Sequence, residues 1–237
     1  MTRKINTRII KLKKYYSLIN HKLIFKNETI NRYKKSLNLS EKKLKYLKDL
    51  KDDISAIKNC DLKKFANNLV FSDGNPNSKI MIIGEAPGAN EDKEGLPFVG
   101  RAGILLDKML ASIKLDRTKV YISNVVNFRP PENRKPSENE ISRYLPFLLR
   151  HIEIINPKII LLLGSTALNA LIGRDTVISK ARGKWYKKTI GNANPFVIAS
   201  FHPAFLMRQP DQKKLAWIDL KMIRTKISEL DLNIPKK

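Results

Sequence analysis

The densest chemical signal in the sequence is the segment 84–103, GEAPGANEDKEGLPFVGRAG. Its glycines and prolines surround Glu85, Glu91 and Phe98, and glycine and proline fix a loop shape and let the backbone approach a ligand closely. Carboxylates in such a loop can orient a water molecule for attack. No Gly-Lys-Ser/Thr run follows, so the loop is not of the Walker type and phosphate chemistry on a nucleotide is disfavoured.

Three further polar residues have types that suit a reactive site. Asn124 and His202 each come at the end of a short aliphatic run, and Asn133 lies in an irregular stretch. An amide can read the edge of a base, and a histidine can stabilise developing negative charge. The asparagines also fit turn positions, and His202 also fits a buried structural role, but its place at the end of a predicted strand favours function.

Short aliphatic runs alternate with longer amphipathic stretches from Lys79 onward, which is the pattern of strands and crossover helices. The predicted strands are Lys79–Ile83, Val120–Ser123, Lys158–Leu163 and Phe196–Ser200, and the predicted helices are Ala102–Ile113, Ser137–Ile155, Ser165–Leu171 and Gln212–Ser228. We therefore predict an α/β fold with a doubly wound four-stranded parallel sheet flanked by helices. Its ligand crevice is expected at the carboxyl ends of the strands, where the candidate residues fall.

Composition sets the frame for these elements. A chain of 237 residues with 42% hydrophobic content can bury one sizeable core, which we assign to residues 59–230. The net charge of +24 favours a polyanion such as nucleic acid, or an anionic membrane surface, although the Lys-, Asn- and Ile-rich composition of an AT-biased genome would also raise it.

Cys60 is the single cysteine, so no intramolecular disulfide is possible and a reducing compartment is expected. No apolar run reaches the roughly 18 residues of a membrane span.

Positive charge is concentrated at the N-terminus. Residues 1–60 carry 17 Lys/Arg and 5 Asp/Glu, a difference of +12 that is half of the chain's net charge. We interpret residues 1–38 as a basic helical N-terminal extension and residues 39–58 as an amphipathic helix leading into the domain, with Ser40 as its N-cap. The extension also has the acid-poor character of an organelle transit peptide. Because lysine dominates and serine is sparse, we favour a basic tail on a cytoplasmic monomer.

Several segments together resemble the motifs of the family-four, iron–sulfur-type uracil-DNA glycosylases, in the same order along the chain. They are the 84–103 loop, SNVVNFRPPENRKP from Ser123, PKIILLLG from Pro157 and FHPAFLMR from Phe201. The resemblance runs from about Cys60 to the C-terminal helix. It implies a base excision repair enzyme that flips uracil out of DNA and hydrolyses its N-glycosidic bond, leaving an abasic site.

The resemblance also assigns roles to matched positions. Catalytic roles fall to Glu85, Glu91, Asn133 and His202. Uracil-binding roles fall to Ala86, Phe98, Asn124 and His202. Phe98 would stack on the extruded base, Asn124 would read its edge, and His202 would face O2, where negative charge grows as the base leaves. The reaction also needs a carboxylate to orient water, because oxocarbenium character develops on the sugar, and either glutamate fits that role.

DNA-binding roles complete the implied site. They fall to Arg129, Arg134, Arg182, Lys184, Leu206 and Arg208. Leu206 would press into the DNA stack and Arg208 would grip the backbone, while the other cations would hold phosphates or remain solvated surface charges. Asp92, beside Glu91, fits a functional role and a solvated loop charge equally well.

One departure from the resemblance concerns a cofactor. The family generally holds a [4Fe–4S] cluster on four cysteines. Here Cys60 stands at one of those positions, while Ile57, Phe128 and Tyr144 stand at the other three. Because the replacements are apolar or aromatic, we predict that packing fills the cluster's volume and that the chain binds no metal or other cofactor.

Other functions remain open from the sequence. One is a DNA-binding relative that has lost catalysis together with the cluster. Another is a nucleotide-processing hydrolase on the same open sheet, which would act on free deoxyuridine without DNA. A superfamily enzyme that traps its product covalently through a histidine in a basic insert is disfavoured, because no such insert lies between Gly100 and Tyr121.

Overall fold

The computed structural model describes residues 39–173 and 175–232, and the predictions for residues 1–38 lie outside this part. The helices are α1 Leu39–Ser55, α2 Asp61–Phe65, α3 Ala89–Glu94, α4 Arg101–Ala111, α5 Glu138–Ile155, α6 Ser165–Leu171, α7 Ile178–Ala181, α8 Pro203–Arg208 and α9 Lys213–Glu229. The strands are β1 Asp73–Gly74, β2 Ile80–Gly84, β3 Tyr121–Asn124, β4 Ile159–Leu163, β5 Trp185–Lys187 and β6 Phe196–Ser200. Short 3-10 turns occupy Pro131–Asn133 and Pro210–Gln212.

The strands form one sheet in the order β1-β3-β2-β4-β6-β5. Its four inner strands are parallel and are the four that the sequence predicts, so the doubly wound α/β fold is confirmed. The predicted strand number is too low, because β1 and β5 pair antiparallel at the two edges. These edge strands have two and three residues, too few to carry a periodic pattern.

Helices cover both faces of the sheet, so the inner strands are buried on both sides. The core cluster on one face includes Leu50 of α1 and Ile152 of α5, and the cluster on the other includes Leu106 of α4 and Leu220 of α9. The amphipathic helix predicted for residues 39–58 is present as α1. It begins at Leu39, so Ser40 lies inside its first turn and the N-cap assignment to Ser40 is wrong.

Parallel pairing brings the functional loops to one edge of the sheet. Gly84 at the end of β2 pairs with Asn124 at the end of β3, and the Val125 N–H then donates to the Gly84 carbonyl at 3.0 Å. β4 and β6 end beside them and lead into α6 and His202. Among the described residues, no helix combines the length and apolar character that a membrane crossing requires.

Candidate active site

A hollow of about 180 Å³ opens at the carboxyl ends of β2, β3 and β6. Its lining includes all seven residues to which the sequence assigns catalytic or uracil-binding roles, namely Glu85, Ala86, Glu91, Phe98, Asn124, Asn133 and His202. A larger adjoining hollow, about 470 Å³, shares four of them and adds Lys135, Ser165 and Arg208. The sheet therefore gathers into one cleft residues that lie more than a hundred positions apart in the chain.

The Asn124 side chain is buried against the base of the hollow and is 3% exposed. Its Oδ1 atom has no hydrogen-bond partner within residues 39–173 and 175–232. A Cβ at Gly84 would lie 2.4 Å from this oxygen and 2.5 Å from Cζ of Phe98, so a residue without a side chain is required there. A buried acceptor left unpaired costs about 1–3 kcal/mol, which marks this amide as a position for a ligand donor.

Phe98 forms the aromatic wall of the hollow. Its ring lies 5.6 Å from the His202 ring, centroid to centroid, with an interplanar angle of 29°. The Phe98 backbone has φ of +56°, a left-handed conformation that residues with a Cβ rarely adopt. Phe98 is nevertheless buried, so surrounding contacts hold both its backbone and its ring in this arrangement.

His202 is the N-cap of α8, and its Nδ1 accepts a hydrogen bond from the Ala204 backbone N–H at 3.2 Å. The neutral ring must therefore carry its proton on Nε2, which makes that nitrogen a donor. Burial lowers the pKa of His202 to about 4, and the positive charge of Arg208 adds to this effect while Glu91 opposes it. His202 is neutral at physiological pH.

The two glutamates are held differently. Glu91 accepts the backbone N–H of Gly100 on Oε1 at 2.8 Å and that of Gly88 on Oε2 at 3.1 Å, so it closes the loop that surrounds α3. Glu85 accepts a hydrogen bond on Oε2 from the hydroxyl of Thr166. No sequence pattern points to Thr166, because its contact with Glu85 joins positions 81 residues apart.

Comparison of the sequence with known proteins identifies its family. Residues 71–221 match the model of the uracil DNA glycosylase superfamily. The chain is 42% identical over 183 residues to the type-4 uracil-DNA glycosylase of Sulfurisphaera tokodaii, an alignment covering 75% of this chain and 83% of that protein. The chain belongs to the type-4 uracil-DNA glycosylase family. The type-4 enzyme of Archaeoglobus fulgidus is 40% identical (75% and 91% covered), and that of Thermotoga maritima is 45% identical (63% and 77% covered).

Membership in the type-4 uracil-DNA glycosylases confirms the family resemblance of the motifs, and the remaining predicted residues can be placed around the cleft. The Nε of Arg129 donates to Oδ1 of Asn133 at 2.9 Å, which ties the loop after β3 together. Arg134 lines the hollow but is paired with Glu140 at 2.7 Å. Arg208 and Lys184 are exposed, and Arg208 lines the larger hollow together with Lys135, which the sequence-based assignment omitted.

The structure corrects two of the predicted DNA contacts. Arg182 forms an ion pair with Asp219, which is fully buried, and its guanidinium also packs 5.7 Å over the Phe201 ring, so it is not available to a phosphate. Leu206 is 1% exposed because α8 turns this side chain into the core between α4 and α9. A buried leucine cannot press into a DNA stack.

Asp92 has a structural role. It is fully buried, and its Oδ1 accepts the backbone N–H groups of Asn67 and Asn68 at 2.9 and 3.1 Å, while Oδ2 accepts the Asn67 side chain. These bonds fasten α3, and with it Glu91, to the segment that precedes β1. Of the two interpretations from the sequence, the solvated loop charge is therefore wrong.

The positions that the family resemblance matches to cluster ligands lie together around Cys60. Cys60, Phe128 and Tyr144 are buried in one apolar cluster, and Ile57 packs against it. The Cys60 sulfur lies 3.3 Å from the Tyr144 hydroxyl, and burial raises the pKa of that phenol. A [4Fe–4S] cluster needs a full set of ligands, and these four residues offer one thiol, so they do not fit the cluster. The described residues contain no group of three or more His, Cys, Asp or Glu side chains that could hold a metal ion.

Proposed function

We propose that this chain is a monofunctional uracil-DNA glycosylase of DNA repair, which releases free uracil from DNA and leaves an abasic site. The observation that carries the proposal is the unpartnered Oδ1 of buried Asn124 beside Phe98. The N3–H of uracil can donate to this oxygen while the amide nitrogen donates to O4, and the base can stack on the Phe98 ring. Base stacking and these hydrogen bonds offset the few kcal/mol needed to rotate the nucleotide out of the duplex.

His202 supports departure of the base. When the C1′–N1 bond breaks, its electron pair stays on uracil and charge accumulates on O2. A neutral histidine whose proton sits on Nε2 can donate a hydrogen bond to that oxygen without first losing a proton. Uracil then takes a proton from solvent.

We assign the attacking water to Glu85. Both carboxylate oxygens of Glu91 accept backbone N–H groups that close the loop. Glu85 accepts the Thr166 hydroxyl on Oε2, and its Oε1 accepts no hydrogen bond among the described residues. Glu85 also lines both hollows, at their junction. In this proposal the water oxygen bonds to C1′ of the oxocarbenium-like sugar, and the water proton passes to Glu85 and then to solvent.

DNA binding in this proposal uses charge around the cleft rather than Leu206 or Arg182. Arg208 and Lys135 line the larger hollow, where the strand on either side of the flipped nucleotide would run. Lys184 and the extension at residues 1–38 add positive charge, which strengthens binding to phosphates at low salt. We expect a monomer in the cytoplasm.

We also propose that the chain works without an iron–sulfur cluster or any other cofactor. The thiol of Cys60 alone cannot assemble [4Fe–4S], and the steps assigned above use side chains and water.

The test compares matched oligonucleotides containing uracil or thymine, incubated with the full chain and then cleaved by alkali at abasic sites. Alkali-dependent cleavage of the uracil strand alone is expected. No cleavage would support a non-catalytic DNA-binding relative, and release of uracil from free deoxyuridine would support the nucleotide hydrolase instead. An adduct trapped by borohydride would contradict the monofunctional mechanism, because it requires an amine nucleophile.

A further inference from the structure

The backbone carbonyl of Phe98 lies in a narrow space. A Cβ at Gly103 would lie 1.6 Å from this oxygen, so the first turn of α4 is in direct contact with it. The residue has the left-handed φ of +56° described above and is 5% exposed. Contacts that hold this carbonyl therefore also fix where the Phe98 ring stands in the hollow.

Arg117, in the segment between α4 and β3, supplies such contacts. Its NH1 donates to the Pro97 carbonyl at 3.1 Å, and its NH2 donates to the Phe98 carbonyl. A guanidinium presents its donors in a rigid planar fork, which can hold two successive carbonyl groups at once. Arg117 does not line either hollow.

Two carboxylates orient the guanidinium. Asp107 of α4 accepts from Nε at 2.9 Å, and Asp73 of β1 accepts from NH1 at 2.6 Å. Asp73 reaches this position because β1 pairs with β3, and a Cβ at the adjacent Gly74 would lie 2.3 Å from the Val120 carbonyl. The short edge strand thus brings a carboxylate to the arginine that holds the loop.

We propose that Arg117 is a positioning residue of the glycosylase reaction, which acts through the Phe98 backbone to keep the aromatic ring in place for the flipped base. The proposal rests on the proposed function. It assigns a shared task to Arg117, Asp73 and Asp107, none of which lines the hollow of about 180 Å³.

The test is a double-mutant cycle between Arg117→Met and Phe98→Ala, measured as single-turnover uracil release. Arg117→Met is expected to lower the rate by about 10²-fold, the loss typical of a group displaced by about 1 Å. In the Phe98→Ala background the same change is expected to lower it by no more than ~2-fold, because the ring on which Arg117 acts is gone. Affinity for abasic product DNA should stay the same, since no phosphate contact changes.

Arg143→Met is the matched control. Arg143 also donates to two successive carbonyls, those of Lys58 and Asn59, but it lies beside Cys60 and away from the hollow. This variant should retain the parent rate. Asp73→Asn, which keeps Arg117, replaces Arg117→Met in the cycle if the latter does not fold, and a smaller rate loss that again vanishes without Phe98 is expected.

The outcomes are distinguishable. Equal rate losses with and without the Phe98 ring, or a folded Arg117→Met variant at the parent rate, would overturn the positioning role while leaving the glycosylase function intact. Absence of uracil release from the unmodified chain and from Arg143→Met alike would overturn both.

Discussion

The hollow of about 180 Å³ that would receive the base and the region around Cys60 lie in the same domain but are built in opposite ways. The hollow keeps a buried acceptor on Asn124 that no described residue pairs with, and a left-handed Phe98, both of which cost free energy. Around Cys60, by contrast, an apolar cluster encloses a thiol and a phenol that contact each other. The first region retains features that serve a ligand, and the second retains features that serve stability.

This difference separates the binding of a ligand from the packing that holds distant segments together. Around Cys60, α1 and α5 pack together through buried side chains such as Leu50 and Tyr144. In the proposed cluster-free protein, this packing links the distant segments that four cysteines would otherwise join. The proposed chemistry lies at the carboxyl ends of the strands and needs none of these residues. Substitutions in the hollow should therefore mainly lower activity, whereas substitutions around Cys60 should lower stability and leave activity unchanged.

The largest effect is expected in the hollow. Replacing Asn124 or His202 with alanine should lower single-turnover uracil release by about 10²–10³-fold, the loss typical of one stabiliser of developing charge. The affinity for abasic DNA should change little, because neither side chain contacts phosphates in this proposal. His202→Ala should also lower the free energy of unfolding by about 1 kcal/mol, because α8 loses its N-cap. A variant that cleaves at the parent rate would contradict the site assignment.

A smaller effect is expected from pH. Because the pKa of His202 is about 4, single-turnover release should fall by at least about tenfold for each pH unit below that value, as the neutral donor is lost. Arg208→Gln should move the midpoint to higher pH, since Arg208 lowers this pKa, and Glu91→Gln should move it to lower pH. Shifts in the same direction would contradict the electrostatic origin.

Two histidines, His202 and the buried His151 of α5, affect stability with a defined sign. Burial lowers the pKa of His151 to about 3, and that of His202 is also below the unfolded value of about 6.5. Between these values the unfolded chain binds more protons than the folded chain. The free energy of unfolding should therefore decrease as pH falls from about 6.5 towards 4, and the decrease should be smaller in His151→Phe.

The basic extension at residues 1–38 can be compared with both regions, because its removal is expected to change DNA affinity alone. Removal of residues 1–38 takes away 11 Lys/Arg and one acidic residue. Binding to uracil-containing DNA should weaken and its dependence on salt should become less steep, while the saturated single-turnover rate stays unchanged. Titrations at several salt concentrations measure the slope, and a folded but inactive truncation would contradict a purely electrostatic role.

The sequence predicts the inner sheet well because short aliphatic runs such as 159–163, bounded by turn residues on both sides, are typical of buried strands. It also predicts the correct edge of the sheet for the catalytic candidates, since the carboxyl ends of parallel strands lie at the same edge. It fails where the answer depends on a distant partner. Asp219 is 37 positions from Arg182, and the contact of Arg117 with Phe98 depends on a backbone conformation that no pattern encodes.

Leu206 shows a different failure. Its segment, FHPAFLMR, contains apolar residues at adjacent positions, so its pattern does not show which side of α8 faces the core. A match to a family motif identifies a position in the chain but not the direction of its side chain. The fold decides this, because α8 packs against α4.

The smallest effect is expected around Cys60. Cys60→Ala removes the sulfur that contacts the Tyr144 hydroxyl, and Tyr144→Phe removes the hydroxyl while keeping the ring. Each change should lower the free energy of unfolding by about 1–2 kcal/mol, through a small cavity and an unpaired Tyr144 hydroxyl in the first case and an unpaired thiol in the second. Denaturant titration measures the loss, and uracil release by both variants should equal that of the parent.

This last pair also tests the absence of a cluster by a measurement other than activity. If packing alone fills the region, the purified parent protein should be colourless, should lack stoichiometric iron, and should keep both its stability and its activity after chelation. Cys60→Ala should then behave like the parent in every respect except stability. A brown protein with four irons per chain, lost together with activity in Cys60→Ala, would mean that metal ligands come from elsewhere in the chain and that the two regions are not independent.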